Sequence, residues 1–463
     1  MTKKFLPVFL ALILMLLLPA AALGLGTADV KSSPTIRVML GSSSSSGSFT
    51  FTVTNGTYYI VSESSINSNK YYNSSMTTYD KVSSGSSFTL TAGSGRIAMP
   101  EDKDCTCKYG SYSYRGAFKA VTNGTYNYAV NQVDVELYLY GVVGNEIGSW
   151  NLESMEAQAV AARSYAIGNI SSANRYYDVT NTTSSQVYHG YSSESSSIRQ
   201  AVDETKGWVL AYNGDIIQTY YSSSNGGYSE NIENVWLSNA VPIVGVACPY
   251  DKVAGTTPKY GEYAASCWSW NVEYTPANLV SLANSYGRTD IGNYVSIAVS
   301  TTYNGQTSVS GRAMQVTITG TNGSVTATKD NIRSLLNLKS TLFTISGNGS
   351  PPASAYVVSK GDKLTNWENI SGLYAQPDSG SVVEAGGSAD KIYVLSADGR
   401  SSLSKVGSST SANGNIVING FGYGHGVGMS QWGAIAMGDN GFSWQEIIDL
   451  FYCQGGVKMT KCY

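Results

Sequence analysis

The sequence has little charge and no strongly basic segment. Charged residues make up 13% of the 463 residues, and the net charge is −3. No Lys/Arg-rich run is present, so the basic patch that is typical of nucleic-acid-binding proteins is lacking. Any polymer that the chain binds is therefore held by hydrogen bonds and ring stacking, for which 34 tyrosines and 8 tryptophans are available. The tyrosines are equally well explained as ordinary strand residues.

Histidine is scarce, and cysteine is limited to six residues. His189 and His425 are the two histidines, and neither has the neighbouring ligands at the spacing that a zinc site needs. We therefore predict no metal and no cofactor. An even cysteine count in an exported chain permits disulfides, but the sequence cannot choose among the fifteen connectivities of six cysteines. Cys248/Cys267 and Cys453/Cys462 are candidates for local pairs.

Only the N-terminus carries a long apolar run. Lys3 and Lys4 precede the apolar residues 5–18, and Pro19 and three alanines follow. This pattern predicts a signal peptide over residues 1–24, or an uncleaved anchor that would be the chain's one contact with a membrane. The chain is therefore expected to be exported, either extracellular or anchored facing outward.

The order of strand-like and helix-like segments along the chain predicts an α+β fold that is rich in strands. Residues 36–40, 49–53 and 58–61 alternate as strands do, and Asn55-Gly56 and Asn123-Gly124 are hairpin signals. Residues 134–143 end this region as a strand or a short helix. Residues 151–168 are rich in alanine and begin with Asn151 as N-cap, which predicts a helix that packs closely against another element. Further helices are predicted near residues 192–201, 276–284, 331–338 and 429–437, and a capping box at Ser443 starts a last one. Residues 346–411, rich in Ser and Gly, read as a small β insertion.

Three segments carry residue types that can do chemistry. Glu146 lies between an apolar run and the alanine-rich helix, with Trp150 nearby as an apolar wall. A carboxylic acid in such surroundings has a raised pKa and can donate a proton near neutral pH, although a surface glutamate at a helix end is the plainer alternative. Residues 218–231 form a loop of hydroxyls and amides on glycine turns, which is either a sugar-binding loop or a solvated one. Residues 420–433 have glycine at alternate positions around His425, as expected where backbone passes close to a ligand or to another segment.

The combination of these segments resembles the SpoIID/LytB family of bacterial peptidoglycan-remodelling proteins, which includes amidase enhancers. The resemblance rests on three collinear blocks, which are Tyr140-Gly-Val-Val to Ala166, Tyr220-Tyr-Ser-Ser-Ser-Asn-Gly-Gly-Tyr-Ser-Glu230, and Gly424-His-Gly-Val-Gly-Met-Ser-Gln-Trp-Gly-Ala434. It implies a family-like region over residues 35–345 that is completed by residues 412–463 after the insertion.

The resemblance also implies a function and a set of site residues. The family's catalytic glutamate falls on Glu146, and the arginine of its alanine-rich helix falls on Arg163, which would hold the site or the saccharide. Supporting or substrate-binding roles are inferred for other residues from their places in the matching motifs: Gln158, Ser223, Ser224, Tyr228, Glu230, His425, Ser430 and Gln431. The glycine run of the third block is expected to pass close to the alanine-rich helix and bring its polar residues near Glu146.

The implied activity is that of a lytic transglycosylase that cleaves MurNAc–GlcNAc bonds in peptidoglycan strands stripped of their peptides, in sporulation or wall remodelling. One alternative is a non-catalytic amidase enhancer, which would bind the wall or a partner N-acetylmuramoyl-alanine amidase, and another is a surface adhesin. The sequence departs from the family where Glu146-Ile147-Gly148 replaces the common Glu-Met-Pro. Ser222, Asn225 and Tyr228 also replace the His and Cys by which some members bind zinc.

Overall fold

A computed structural model describes residues 25–170, 175–236, 242–346 and 415–463, together with four short strands between residues 347 and 414. The predicted signal peptide or anchor lies outside the described residues. In the segment predicted as a β insertion, the four strands form two antiparallel pairs. No helix in the described ranges is long and apolar enough to cross a membrane.

The described residues form ten α-helices, most of them near the positions that the sequence predicts. They are α1 (Val135–Glu146), α2 (Leu152–Asn169), α3 (Ser196–Glu204), α4 (Ile232–Val235), α5 (Tyr250–Thr256), α6 (Gly261–Trp268), α7 (Pro276–Gly287), α8 (Asn331–Leu336), α9 (Gln431–Asp439) and α10 (Trp444–Tyr452). The segment predicted as strand or short helix is thus the helix α1.

The strands fall into an N-terminal group and a later group. The first consists of β1 (Thr35–Ser43), β2 (Ser48–Asn55), β3 (Thr57–Ser62), β4 (Thr78–Ser83), β5 (Ser87–Thr91), β6 (Arg96–Pro100), β7 (Thr106–Tyr109), β8 (Tyr112–Arg115), β9 (Ala117–Thr122), β10 (Asn127–Asp134) and β11 (Val179–Thr180).

The later group begins with β12 (Trp208–Tyr212), β13 (Asp215–Ile216), β14 (Tyr221–Ser222), β15 (Ser269–Tyr274), β16 (Tyr294–Ser300), β17 (Thr302–Tyr303), β18 (Gln306–Thr307), β19 (Gln315–Gly320), β20 (Gly323–Thr328) and β21 (Phe343–Ser346). It ends with β22 (Leu373–Ala375), β23 (Val383–Ala385), β24 (Lys391–Ser396), β25 (Gly399–Ser404), β26 (Ile416–Phe421), β27 (Met429–Ser430) and β28 (Lys458–Lys461).

Two antiparallel sheets dominate the N-terminal part and confirm the α+β fold class. The larger has the order β11-β1-β10-β9-β6-β3-β4, with β11 parallel to β1, and the smaller has the order β5-β2-β7-β8. In β1 the residues Ile36, Val38 and Leu40 are buried in alternation, as expected for a strand with one face on a core. The hairpin predicted at Asn123-Gly124 is confirmed, since it joins the paired strands β9 and β10.

The hairpin predicted at Asn55-Gly56 is wrong. β2 pairs with β5 and β7, whereas β3 pairs with β4 and β6, so the chain changes sheets at this point. Gly56 has a φ of 74° and lies against Cys105, where any side chain would overlap the thiol. The glycine is therefore needed for a crossing between sheets rather than for a tight turn.

The alanine-rich helix α2 is buried on two sides. Ala159, Ala162 and Ala166 belong to the core shared with the N-terminal sheets. Ala157 and Ala161 belong to a second core shared with α9 and α10. Because both faces are covered, small side chains let neighbouring elements approach the helix closely, which confirms the close packing predicted from its composition.

Later segments return to the earlier part of the fold and close it. β26 pairs with both β15 and β21, and β28 pairs with β12. β27 lies parallel to β14, with Met429 opposite Tyr221 and Ser430 opposite Ser222. A third core fills the region of α7, α8, β16, β19 and β20. The C-terminal segment is thus built into the same body as the central helices.

Neither of the two candidate disulfide pairs is formed in this structure. All six cysteines lie in the described ranges, and all are free thiols. Cys248 is buried against Gly433, whereas the Cys267 thiol makes a side-chain hydrogen bond with Trp432. The thiols of Cys248 and Cys267 therefore both pack against α9.

Candidate active site

Glu146 is the last residue of α1, at a point where the chain must turn sharply. Asp134 caps the start of this helix by accepting the N–H of Glu136 at 2.9 Å. Gly148, with a φ of 75°, supplies the turn that leads into α2. Within α1, Gly144 faces Ser193, and a Cβ at this position would overlap the serine's carbonyl oxygen. The missing side chain therefore lets residues 187–193 lie directly on the helix.

The carboxyl group of Glu146 is half-buried, and its hydrogen-bond partners are neutral. Its Oε1 accepts the backbone N–H of Val187 at 2.7 Å, and the side chain of Gln431 makes a second hydrogen bond. Burial raises the pKa of Glu146 to about 7, and the two hydrogen bonds oppose that rise without cancelling it. The group is thus divided between acid and carboxylate at neutral pH, as a general acid–base catalyst requires. Trp150, expected beside it, packs instead on Trp432 and Tyr260.

Tyrosine hydroxyls and one glutamine surround the acid, and sequence reasoning missed them. Tyr138 donates to the Oε1 of Gln186 at 3.1 Å, and the Nε2 of Gln186 donates to the hydroxyl of Tyr221 at 2.9 Å. Burial raises the pKa values of Tyr138, Tyr165 and Tyr221, and the nearby charge of Glu146 raises them further. Gln186 and Val187 follow the strand β11, and no local pattern marks them as site residues.

Gln158 and Gln431 join the central helix to the C-terminal motif. Gln431 is the first residue of α9, and its Nε2 donates to the Oε1 of Gln158 at 3.4 Å. Both side chains are buried. Together with the bond from Gln431 to Glu146, this contact brings three of the residues named from the sequence into one cluster.

Arg163 does not reach the surface, so its burial excludes contact with a saccharide and leaves the other expected role, which is to hold the site. It is 0% exposed and forms a bidentate ion pair with Glu136, at 2.9 and 2.8 Å. Its remaining hydrogen bonds go to the carbonyl oxygens of Val202 and Trp208. Because its partners are groups of the protein itself, Arg163 holds α2 to the start of α1 and to β12.

The two serine-bearing motifs meet at a carboxylate that the sequence did not single out. Asp251, in α5, accepts hydrogen bonds from the hydroxyls of Ser224 and Ser430. Ser430 also caps α9 by accepting the N–H of Gly433 at 3.2 Å. Both serines are buried, so they organise the loop and are not placed to contact substrate. The carbonyl of Ser223 accepts the N–H of Trp432 at 3.0 Å, which ties the same loop to α9.

Glu230 and Tyr228 belong to a different set of contacts. Glu230 binds residues that precede β19, and Tyr228 pairs with residue 247. Glu230 is 0% exposed and accepts hydrogen bonds from the hydroxyls of Ser308 and Ser310 and the amide of Asn234, among others. Tyr228 forms an isolated bridge with residue 247. Glu230 is thus a buried structural carboxylate, and these residues join the loop to the later part of the chain.

His425 packs against two aromatic side chains. Its ring packs between Tyr220 and Trp236, with centroid distances of 6.2 and 4.9 Å, and its Nδ1 accepts the N–H of Val427 at 3.0 Å. Burial lowers the pKa of His425 to about 4, so the ring is neutral at pH 7. Among the polar residues of the motif, Gln431 contacts Glu146, whereas His425 and Ser430 are turned toward other partners.

The glycines of the C-terminal motif approach the serine loop rather than the alanine-rich helix. Side chains at Gly422, Gly424 and Gly428 would overlap residues between 220 and 226. The expectation that these glycines lie against the helix is therefore wrong, because the loop lies between them. The motif still reaches the acid, through the first residue of α9. Within the described ranges, no group of three His, Cys, Asp or Glu side chains is arranged to hold a metal ion.

Fold and site define an α+β protein in which a half-buried glutamate with a raised pKa lies between a central helix and a glycine-rich C-terminal motif. Residues 123–212 match the SpoIID family, described as stage II sporulation protein, and residues 250–361 match a domain of unknown function, DUF8618. The chain is thus similar to proteins of the SpoIID/LytB family.

Relatives from two genera match different lengths of the chain. An uncharacterized protein of Brachyspira hyodysenteriae is 29% identical over 348 residues, which cover 73% of this chain and 70% of that protein. The amidase enhancer of Bacillus subtilis is 31% identical over 324 residues, or 70% of this chain and 40% of that protein. Stage II sporulation protein D of Bacillus subtilis is 31% identical over 153 residues, or 29% of this chain and 44% of that protein. The chain therefore matches less than half the length of either Bacillus protein.

Proposed function

We propose that this chain is an exported lytic transglycosylase that cleaves MurNAc–GlcNAc bonds in peptidoglycan strands, with Glu146 as acid and base. The observation that carries the proposal is the state of Glu146, since burial raises its pKa to about 7. A proton donor of this strength at neutral pH is what protonation of a glycosidic oxygen requires. The family resemblance supplies the substrate class, and the N-terminal apolar segment supports export.

The reaction needs one carboxyl group. Protonated Glu146 donates its proton to the glycosidic oxygen as the bond from MurNAc C1 breaks, and the GlcNAc hydroxyl leaves. The resulting carboxylate then takes the proton of the MurNAc C6 hydroxyl, whose oxygen closes on C1 to give the 1,6-anhydro product. Because the nucleophile is part of the substrate, the second carboxylate of ordinary retaining hydrolysis is not needed. The hydrogen bonds of Val187 and Gln431 hold the carboxylate in one position for both steps.

The second candidate is an enhancer without catalytic activity. The name of the Bacillus subtilis relative, amidase enhancer, favours it, and such a protein would bind the wall, an N-acetylmuramoyl-alanine amidase, or both. The raised pKa of Glu146 favours catalysis, because binding a wall polymer or an enzyme does not require such an acid.

The experiment compares wild-type protein with Glu146→Gln on intact and amidase-treated peptidoglycan. Mass spectrometry of the released fragments is expected to show 1,6-anhydro products with the wild type, most of all from strands without peptides, and none with the variant. Glu262→Gln, which replaces an exposed glutamate on α6, is the matched control and should keep activity. Release of anhydro products by Glu146→Gln would refute the assignment. Amidase stimulation by both proteins, without anhydro products from either, would establish the enhancer.

A further inference from the structure

Asp251 is a fully buried carboxylate at which separate segments of the chain meet. It is 1% exposed and lies in α5, outside the part of the chain that matches the SpoIID family. Its Oδ1 accepts from the hydroxyls of Ser224, at 3.1 Å, and Ser430. Its Oδ2 accepts the backbone N–H groups of Asn225 and Gly227 at 3.2 and 3.1 Å. The carboxylate therefore joins the serine loop to the C-terminal motif.

Ser430 transmits this contact to the next residue. Its hydroxyl donates to Asp251 and accepts the N–H of Gly433, so both its donor and its acceptor capacity are used. Ser430 is the N-cap of α9, and Gln431 is the first residue of that helix. Fixing the cap fixes the position and rotation of the first turn. The Gln431 side chain leaves that turn toward Glu146.

We infer that Asp251 is a positioning residue for Glu146, acting through Ser430 and Gln431. Its effect on catalysis rests on the function proposed above, whereas its effect on the carboxyl group of Glu146 does not. The site is then a composite. Residues 123–212 supply the acid, α5 supplies the carboxylate that sets the geometry, and the C-terminal motif supplies the hydrogen bond to the acid.

The chemistry requires an anion at Asp251. An ionised carboxylate accepts all four hydrogen bonds, whereas an amide has a single acceptor oxygen and presents an N–H₂ group on the other side. With its oxygen toward the two backbone N–H groups, the amide of Asp251→Asn turns its N–H₂ group toward the two hydroxyls, which then lose the acceptor for their own protons and must accept from the amide as well. The hydroxyl of Ser430 already accepts the N–H of Gly433, so this reversal is expected to disturb the cap of α9 and release Gln431 from its fixed position.

The test is an NMR titration of full-length protein that contains ¹³C-labelled glutamate. The signal of the Glu146 side-chain carboxyl carbon is identified by its absence from the spectrum of Glu146→Gln, and its chemical shift is followed against pH. In Asp251→Asn the pKa of Glu146 is expected to rise by about one pH unit, as loss of one hydrogen bond to a carboxylate predicts. Tyr138, Tyr165 and Tyr221, the titratable groups around the acid, are unchanged in the variant. Ser430→Ala removes the link alone and should raise the pKa in the same direction, which keeps the test usable if Asp251→Asn fails to fold.

Two further variants distinguish a specific effect on the position of Gln431 from a general loss of packing in the fold. In a Gln431→Met background, Asp251→Asn should have no additional effect on the pKa of Glu146, because the relay is already broken. Glu230→Gln, at a buried carboxylate of the same loop that does not bond to α9, should leave the titration of Glu146 unchanged. An unchanged Glu146 titration in folded Asp251→Asn and Ser430→Ala proteins would overturn the inference. An equal rise in Glu230→Gln would also overturn it. Neither result depends on glycan cleavage, so failure of the proposed function would be seen separately, in the product assay.

Discussion

Replacing Glu146 by glutamine should stabilise the protein at alkaline pH and leave its stability nearly unchanged in acid. Glutamine keeps an acceptor for the N–H of Val187 but never carries the charge that burial disfavours. The pKa of Glu146 in the fold is about 7, against an ordinary value of 4.5. At about 1.4 kcal/mol per pH unit, this difference corresponds to as much as about 3 kcal/mol.

The sign follows from proton binding. Between pH 4.5 and 7 the folded protein holds a proton on Glu146 that the unfolded chain has lost, so the stability of the wild type falls as pH rises through that window. Below it both states are protonated, and above it the full penalty remains. Glu146→Gln avoids the penalty, so its advantage should grow from near zero at pH 4 to about 3 kcal/mol at pH 8.

Urea denaturation of both proteins at pH 4 and pH 8 measures the effect, because all other titrating groups are common to the two. Glu262→Gln, at an exposed position, reports any general consequence of replacing a carboxylate by an amide. An advantage of the same size at both pH values would refute the reasoning, as would a wild type that is the more stable protein at pH 8. In either case, the burial of Glu146 would not be disfavouring its charge.

The remaining predictions concern the groups around the site. Arg163→Met should destabilise the fold by about 3–5 kcal/mol in the urea assay, since it leaves the buried carboxylate of Glu136 without its cation. Lys259→Met removes the cation of a more exposed pair and should cost less than about 1 kcal/mol. Equal costs for the two variants would contradict the role of Arg163 in a buried ion pair. In Gly144→Ala the new Cβ would overlap the carbonyl oxygen of Ser193 and displace residues 187–193, which lie on α1. The pH profile of anhydro-product release should therefore shift. An unaltered profile would show that these residues do not hold the carboxyl group of Glu146. His425, with a pKa of about 4, should show no titration between pH 5.5 and 8 in ¹H–¹⁵N NMR spectra, and a midpoint near 6.5 would count against its burial.

Elements that depend on near neighbours in the sequence were predictable. Asn151 caps α2 by accepting the N–H of Ser154 at 2.9 Å, and Ser443 and Glu446 form the capping box at the start of α10. Both signals involve side chains and amides three residues apart, so the sequence displays them directly. The same holds for the hairpin at Asn123-Gly124, whose two strands pair with each other.

Elements that depend on distant partners were not predictable. Asn55-Gly56 has the composition of a hairpin turn, yet packing against Cys105 makes it a crossing between sheets. From the matching motif, Arg163 could hold either the site or the saccharide, and the choice depends on Glu136, which lies on another helix and completes a buried pair. No local pattern marks Asp251, because its four donors come from two segments that only the fold brings together.

By itself the sequence determined the class of fold, the helix α2, the resemblance to the SpoIID/LytB family, and Glu146 as the candidate acid. The tertiary structure decided which polar residues of the motifs reach that acid. Ser430 and Gln431 are adjacent, but the first turns to Asp251 as a helix cap and the second turns to Glu146. Side-chain direction at a helix start depends on how the helix is docked, and α9 is docked by packing and hydrogen bonds with distant segments of the chain. Those long-range contacts exist only in the folded molecule.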